Sequence, residues 1–262
     1  ELNRQGTGMT FKAINKKVLF NLIVLLPEFG IQHAIASELD AIQTMIDGYK
    51  AQLDDLDAFA KSIFLDMFGD PAANPKGWKI YLFSDIADSQ LGKMINQRTQ
   101  QGELKPFLCA VNILDNNFLI DEIKQFAIKD DERDKYRVIK GDLLICEGGD
   151  AGRCAIWNKD IEIYYQKTLH RVRSSKLSVL YLMFILRFYK KQGLLTEKLN
   201  GLTIQHLTQK SLSQIPIPVP PIEMQQQFAN RIEAIEQQKE QIRLQLKDAE
   251  TLMAERMQYY FS

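Results

Sequence analysis

The fold of this chain is decided by residues 35–68, which read IASELDAIQTMIDGYKAQLDDLDAFAKSIFLDMF. Apolar residues recur in this stretch at alternating steps of four and three, which is the heptad spacing of a helix that packs along one seam. The seam positions are Ile35, Leu39, Ile42, Ile46, Tyr49, Leu53, Leu56, Ala60, Ile63 and Met67. The pattern predicts a helix over residues 31–68 that needs a partner, because an exposed stripe of this length favours aggregation.

The same pattern returns 193 residues later in the chain. The shifted seam positions are Phe228, Ile232, Ile235, Lys239, Ile242, Leu246, Ala249, Met253, Arg256 and Tyr260, and eight of these ten are apolar or aromatic. Identities in this register include Ile42/Ile235, Leu53/Leu246 and Phe68/Phe261 within the helices, and Gly8/Gly201 and Pro27/Pro220 before them. The chain therefore contains an internal duplication in which a long helix closes each copy.

The economical partner for each helix is its duplicate. Because the two helices leave equivalent places on equivalent domains, a pseudo-two-fold arrangement lays them antiparallel against each other. The predicted coiled-coil interface consists of Ile35, Leu39, Ile42, Ile46, Tyr49, Leu53, Leu56, Ile63, Phe228, Ile232, Ile235, Ile242, Leu246 and Met253. A homodimeric coiled coil is the alternative. No carboxylate partner for Lys239 or Arg256 can be assigned from the sequence.

Composition and charge set the limits for the rest of the chain. With 262 residues and 45% hydrophobic content, the chain can bury the core of one or two domains. Residues 71–220 hold 22 Lys and Arg against 16 Asp and Glu, whereas residues 1–70 hold 6 against 10 and residues 221–262 hold 5 against 7. A basic middle suits nucleic acid, although many ordinary domains carry a similar excess.

Cysteine usage and hydropathy predict a soluble cytoplasmic protein. The three cysteines show no paired spacing typical of a disulfide framework. The longest apolar runs, Val18–Leu26 and Val179–Phe188, are far shorter than the ~20 residues of a membrane span. The chain starts without Met and inside a repeat unit, so we expect it to be a fragment.

Four segments follow from this reading. Residues 1–30 are predicted to be the tail of a folded domain, 31–70 the first helix, 71–220 a mixed α/β domain and 221–262 the second helix. Within the mixed domain, short apolar runs bounded by polar turns predict seven strands and one helix. The strands are Ile80–Phe83, Pro106–Asn112, Phe118–Ile120, Asp142–Cys146, Arg153–Trp157, Ile161–Tyr165 and Leu169–Arg173, and the helix is Val179–Lys191. The proline-rich residues 215–221 predict an extended lead into the second helix.

Three motifs give this chain a resemblance to a known family. The mixed domain opens with Gly77-Trp78-Lys79, carries Gly148-Gly149-Asp150-Ala151-Gly152-Arg153 in its middle, and closes with residues 215–228, IPIPVPPIEMQQQF. Together with the 193-residue repeat, this pattern resembles the specificity subunit of type I restriction–modification systems. The proline-rich exit that leads through E-x-Q-Q into a heptad helix is the most specific of the three motifs.

The resemblance implies an α+β fold class: a mixed α/β target recognition domain flanked by two long helices that form an antiparallel coiled coil. It also implies a host-defence role in which the chain binds double-stranded DNA and docks methyltransferase subunits, and through them restriction subunits. No catalysis, cofactor or metal is expected of such a subunit. Residues 1–30 would be the remnant of a first recognition domain that is otherwise missing, so the chain would read half of a bipartite site. A homodimer could then form.

Polar loops of the mixed domain supply the candidate DNA contacts. One group follows the first strands: Lys93, Asn96, Gln97, Arg98 and Thr99. A second group follows Cys146: Glu147, Asp150, Arg153, Tyr165, Gln166, Lys167, His170 and Arg171. Arg and Lys suit phosphates and guanine, whereas Asn and Gln suit adenine. The glycines at 148, 149 and 152 allow either close approach of a ligand or a plain hairpin turn.

Catalytic interpretations find little support. Cys109, Cys146, Cys154 and His170 lack the spacing of a metal site. Asp142 and Glu147 lack the closely following lysine expected of a nuclease. The alternative from another functional class is a coiled-coil scaffold whose mixed domain binds protein and has no DNA role.

Overall fold

The computed structural model describes residues 26–95, 101–115, 117–121, 123–195 and 206–261, together with Lys16 and Phe20. Its two longest helices, each of 40 residues, are α1 Phe29–Phe68 and α6 Ile222–Phe261. The shorter helices are α2 Phe83–Ile86, α3 Arg133–Tyr136, α4 Val179–Lys191 and α5 Gln209–Ser213. The strands are β1 Lys79–Leu82, β2 Asp88–Leu91, β3 Glu103–Leu108, β4 Ile113–Leu114, β5 Asn117–Phe118, β6 Lys124–Ile128, β7 Arg137–Val138, β8 Leu143–Cys146, β9 Cys154–Ile156, β10 Ile163–Tyr165, β11 Leu169–Arg173 and β12 Pro216–Val219.

The chain forms two compact units, and both long helices contribute to each. The helical unit comprises residues 1–52 and 241–262, and the mixed unit comprises residues 53–240. Most of residues 1–30, the predicted remnant of a first domain, lie outside the described part of the chain. No helix in the described ranges is long and apolar enough to cross a membrane.

The helical unit is an antiparallel pair. Ile42, Ile46 and Ala249 are buried in its core, with Tyr49, Leu246 and Met253 packed against them. At one end the Glu38 carboxylate accepts a hydrogen bond from Tyr260 and lies 2.9 Å from the Arg256 guanidinium. Further along α1, the Lys50 ammonium lies 3.6 Å from Glu250. The order of these contacts along the two helices is reversed, which defines the antiparallel arrangement.

The helices also pair within the mixed unit. Phe64 and Phe68 of α1 contact Phe228 of α6, and both rings also contact Tyr181 of α4, at ring-centre distances of 4.8 to 5.7 Å. Further along, the buried Lys239 ammonium lies 2.7 Å from the Asp57 carboxylate. The two seam cations without assigned partners in the sequence, Lys239 and Arg256, thus both face carboxylates of α1.

The predicted seam residues all lose solvent exposure to some degree. Ile42, Ile46, Phe228, Ile232 and Ile235 are buried. The half-buried members are Ile35, Leu39, Tyr49, Leu53, Leu56, Ile63, Ile242, Leu246 and Met253. The reduced exposure of these positions follows from the heptad period, which keeps one stripe of each helix against its partner.

Two four-stranded sheets form the body of the mixed unit. Their strand orders are β6-β3-β10-β7 and β2-β11-β8-β9, and two-stranded sheets join β1 to β12 and β4 to β5. Strand β8 is apolar on both faces because Leu143 and Ile145 pack in the cluster that contains α4, while Leu144 and Cys146 pack in a second cluster around Trp157. The turn at residues 166–168 connects β10 of one sheet to β11 of the other.

The α+β fold class with an antiparallel helical pair is confirmed. The predicted helix Val179–Lys191 has the bounds of α4, and each of the seven predicted strands overlaps an observed strand. Strands β2, β4, β6, β7 and β12 were not predicted. Residues 216–219 are extended as expected, and they form a strand that pairs with β1.

Candidate nucleic-acid interface

The turn at residues 166–168 is a meeting point for loops from distant parts of the sequence. The Lys93 amide donates to the Tyr165 carbonyl at 3.0 Å, and the Lys167 amide donates to the Lys93 carbonyl at 3.0 Å. From another side, the Glu147 amide donates to the Thr168 carbonyl at 2.9 Å. The two loops that carry the sequence-predicted DNA contacts, after residues 92 and 146, therefore lie against the same turn.

Two small features make this convergence possible. Gly92 packs so closely on the turn that a side-chain Cβ at this position would lie 2.3 Å from the Gln166 carbonyl oxygen. Only glycine allows that approach. The Thr168 hydroxyl accepts from the Ala110 amide at 3.1 Å and lies 3.0 Å from Gln166 Oε1, so it fixes the Gln166 side chain.

Lys167 and Gln166 are the members of the predicted set that the turn presents outward. Lys167 is exposed, and Gln166 is half-buried with its amide oxygen held by Thr168. Other exposed basic side chains of the mixed unit include Lys124, Lys129, Lys135, Arg137, Lys140 and Lys210. An exposed ammonium on a tightly hydrogen-bonded turn is suited to contact a phosphate.

Lys93 is held by a partner that the sequence did not indicate. Its ammonium lies 2.7 and 2.6 Å from the two carboxylate oxygens of Glu132, and both side chains are largely shielded from solvent. The Lys93 contact lowers the pKa of the Glu132 carboxyl, so this carboxylate stays ionised. Lys93 therefore faces an internal anion in this conformation.

The glycine-bearing loop after β8 is a hairpin turn with charged side chains. It joins the antiparallel neighbours β8 and β9, and Gly149 and Gly152 adopt positive φ angles of 79° and 83°. Asp150 in this loop is 3.3 Å from Arg153 and 2.6 Å from Lys190. The backbone of the glycine run is therefore that of a hairpin turn, which is one of the two interpretations that the sequence allowed.

Three of the predicted DNA contacts have side chains that lie inside the mixed unit. Tyr165 and His170 have no exposed surface, and Arg171 is 8% exposed. The Arg171 guanidinium donates to the carbonyls of Lys135 and Arg137, at 3.1 and 2.7 Å, and stacks 5.4 Å from the Tyr165 ring. These side chains therefore make their contacts inside the mixed unit in this conformation.

His170 holds the chain segment that precedes α5. Its Nε2 lies 2.8 Å from the Leu207 carbonyl oxygen, and the Leu207 amide donates to the Glu147 carbonyl at 2.7 Å. Nδ1 is buried and has no hydrogen-bond partner within the described ranges. Desolvation lowers the pKa of His170, so the ring is neutral near pH 7.

Arg153 similarly has an internal role, because its Nη2 donates to the Ala110 carbonyl at 3.0 Å. Asn96, Gln97, Arg98 and Thr99 lie outside the described residues. Sequence reasoning missed Glu132, whose contact with Lys93 spans 39 positions, and Thr168, which the polar turn itself could have indicated.

Four of the residues considered for metal binding or hydrolysis are buried: Asp142, Cys146, Cys154 and His170. In the described part of the chain, no three His, Cys, Asp or Glu side chains are grouped as a metal site requires. Asp142 is 1% exposed and pairs with Arg173. Burial raises the pKa of Cys146, and it raises that of Cys154 to about 12, so both thiols are protonated near pH 7.

Comparison with known proteins gives a consistent picture. A family model described as the type I restriction modification DNA specificity domain matches residues 75–249. The chain is 21% identical over 280 residues to the type I restriction enzyme EcoBI specificity subunit of Escherichia coli. This alignment covers 95% of this chain and 58% of that protein.

Two crystal structures share the fold. The HsdS subunit from Thermoanaerobacter tengcongensis is 18% identical with a TM-score of 0.53, and the match covers 99% of this chain and 66% of that chain. The type I restriction–modification S subunit from M. genitalium is 14% identical with a TM-score of 0.58, and the match covers 97% of this chain and 67% of that chain. The chain thus spans less than two thirds of the E. coli protein and of the first of these structures.

Proposed function

This chain belongs to the type I restriction modification DNA specificity family, and we propose from that premise that its mixed unit reads base sequence in double-stranded DNA. With one such unit, the chain reads one half of a two-part target. It carries no catalytic step itself, and the methylation and cleavage are performed by partner subunits.

The convergence of loops on the turn at residues 166–168 is the observation that supports this proposal most directly. Sequence-specific proteins combine phosphate contacts that set position with amide and guanidinium contacts that read bases. Lys167 supplies the first kind of contact and Gln166 the second, on one hydrogen-bonded turn. The basic excess of residues 71–220 attracts the DNA backbone to this unit.

Other predicted contacts have separate roles within the proposal. Glu147, whose amide donates to the Thr168 carbonyl, and Asp150 of the same hairpin loop are proposed to accept hydrogen bonds from base amino groups. Asn96, Gln97 and Arg98 remain predicted base contacts. Arg153 is retained as a positioning residue because it holds the Ala110 carbonyl.

The first test removes the exposed lysine of the turn. Lys167→Ala should weaken binding to cognate and scrambled duplexes alike, and it should lower the slope of log K against log salt by about one. Lys140→Ala is the matched control, because Lys140 is also exposed but precedes β8 at the end opposite the turn. Fluorescence anisotropy over a salt series measures both variants.

Gln166→Ala tests base reading on the same turn. Its loss should cost about 1–3 kcal/mol on a cognate duplex selected from a random pool, and leave scrambled duplexes unaffected. Equal behaviour of Lys167→Ala, Gln166→Ala and the wild-type protein on all duplexes would place the reading surface elsewhere. If the wild-type protein does not bind any duplex at low salt, the coiled-coil scaffold becomes the better interpretation.

The helical pair is proposed to dock methyltransferase subunits. Exposed acidic residues such as Asp54 give it a charged outer face, whereas Asp57 and Glu236 are engaged with Lys239. Asp54→Lys should reduce co-purification with a tagged cognate methyltransferase subunit, and Asp131→Lys, an exposed change outside the two long helices, should not. Equal recovery of both variants argues against docking on this face. Restriction subunits would join through the methyltransferase subunits.

A two-part target requires a second reading unit, which we propose a second copy of this chain supplies. Light scattering of the purified protein should then give twice the 30.2 kDa mass of one chain. A chain that stays monomeric at micromolar concentration, with and without DNA, contradicts a homodimer and leaves half-site reading by the monomer in place.

A further inference from the structure

The contact between Lys93 and Glu132 points to a function that none of the preceding observations assigns. Lys93 belongs to the loop that lies against the turn at residues 166–168, where DNA phosphates are proposed to bind. Its ammonium contacts both oxygens of one carboxylate, as it would contact a phosphate group. The lysine side chain is 17% exposed and the glutamate side chain is 28% exposed, so water screens this pair less than a surface pair.

Glu132 is the fixed member of the pair. It ends the short 3₁₀ helix Asp130–Glu132, and its carboxylate also accepts from the Lys129 amide at 3.2 Å. The adjoining backbone is anchored, since the Lys135 carbonyl accepts from Gln90 and Arg171 at 3.1 Å each. Lys93, in contrast, holds its ammonium on a flexible four-carbon stem, 5.9 Å from the Tyr136 ring centre.

We propose that Glu132 is an internal substitute for a DNA phosphate, which occupies Lys93 in the free protein and gives it up only when a well-fitted target places a phosphate at the same ammonium. On a poorly fitted duplex, Lys93 stays with Glu132 and contributes nothing to binding. Glu132 therefore lowers nonspecific affinity and acts as a specificity-determining residue. This inference rests on the proposed reading of DNA by the mixed unit.

The test compares Glu132→Gln with the wild-type protein on a scrambled duplex. Glutamine keeps an oxygen for the Lys129 amide but removes the charge that holds Lys93. Affinity for the scrambled duplex should rise severalfold, and the slope of log K against log salt should steepen by about 0.9, because one more phosphate is neutralised. Glu103→Gln is the matched control, since Glu103 pairs with Lys105 and Arg133 in the same unit.

The double variant Lys93→Met/Glu132→Gln distinguishes two explanations. Glu132 could lower DNA affinity by occupying Lys93, or its negative charge could repel the DNA backbone directly. If Glu132 acts by occupying Lys93, the double variant should lose the gain in affinity and the steeper slope. A gain that persists without Lys93, or a Glu132→Gln variant that matches the wild type, overturns the inference. Thermal unfolding checks that each variant is folded. Because the Lys167→Ala test is independent of Glu132, failure here is distinguishable from failure of DNA reading itself.

Discussion

The last turn of each long helix has the same sequence pattern but a different environment. Phe68 ends α1 in the mixed unit and is 2% exposed, whereas Phe261, its equivalent 193 residues later, ends α6 in the helical unit and is 66% exposed. One turn earlier, Phe64 is 1% exposed and its equivalent Met257 is 46% exposed. The duplicated helix ends therefore differ in what covers them.

The cover in the mixed unit is α4. Tyr181 of this helix lies 4.8 Å from Phe68, and Phe184 lies 5.6 Å from Phe64, at ring-centre distances. Phe228 closes the cluster at 5.3 Å from Phe68. Helix sequence alone thus selects which residues can be buried, and a tertiary neighbour decides whether they are buried.

Substituting the two equivalent phenylalanines gives the largest expected difference. Phe68→Ala should lower the free energy of unfolding by about 3–5 kcal/mol, because it leaves a cavity in an aromatic cluster. Phe261→Ala should change it by less than about 0.5 kcal/mol, because its ring already faces solvent. Urea unfolding followed by circular dichroism at 222 nm measures both variants, because both residues lie in the long helices. If both variants lose the same free energy of unfolding, the two helix ends do not differ in how much their last phenylalanine stabilises the protein.

A second equivalent pair sharpens the comparison inside the seam. Ile46 in the helical unit and Lys239 in the mixed unit occupy the same repeat position, and they are 4% and 3% exposed. Ile46→Ala should cost about 2–4 kcal/mol. Lys239→Ile should cost less than about 1 kcal/mol or stabilise the protein, since hydrophobic replacement of a buried ion pair is often neutral or favourable.

Circular dichroism at 222 nm during urea unfolding measures both seam variants, because the long helices dominate the signal. A loss above about 2 kcal/mol for Lys239→Ile would show that its contact with Asp57 contributes more than the packing of an aliphatic side chain. Ile46→Val, a smaller truncation at the same site, is the control and should cost about 0.5–1.5 kcal/mol.

These contrasts also show which parts of the fold can be predicted from the sequence. The helices and their antiparallel pairing were predictable because a heptad seam repeats over many turns and its duplicate within the chain is a more economical partner than a second copy of the chain. Strands such as Leu143–Cys146 were predictable from short apolar runs. Strand Asp88–Leu91, which reads DSQL, was not, because its place beside β11 is set by tertiary pairing and not by its own pattern.

The candidate site was predictable only by loop and residue type. Sequence identified the loops after residues 92 and 146, and the fold brings both to one turn. It could not show that His170 and Arg171 point inward, because β11 has neighbours on both sides and packing on both faces. Nor could it show that Glu132 neutralises Lys93, since that contact depends on how β3, β6 and β10 are ordered in the sheet.

Acid should destabilise the mixed unit through His170. His170 of the mixed unit is buried, and burial lowers its pKa. As pH falls, the unfolded chain therefore binds a proton at this residue before the folded chain does. The stability from this group is complete above the unfolded pKa of about 6.5 and is lost as pH falls below it, by up to about 1.4 kcal/mol per pH unit. Tryptophan-detected unfolding between pH 7.5 and 5 should show this slope, and His170→Gln should remove it. An unchanged slope in the variant assigns the effect to other groups.

The smallest expected effect concerns the ion pair between Lys50 and Glu250 of the helical unit. Lys50 and Glu250 are 3.6 Å apart, and their side chains are 54% and 52% exposed, in contrast to the buried ammonium of Lys239. Water and salt screen such a pair, and holding both side chains costs rotamer entropy. Glu250→Gln should therefore lower the free energy of unfolding by less than about 0.5 kcal/mol at low salt, and by less still at 1 M salt. A larger loss that salt does not reduce would mean that Glu250 acts through packing, and that the helical unit depends on its outer face as much as on its seam.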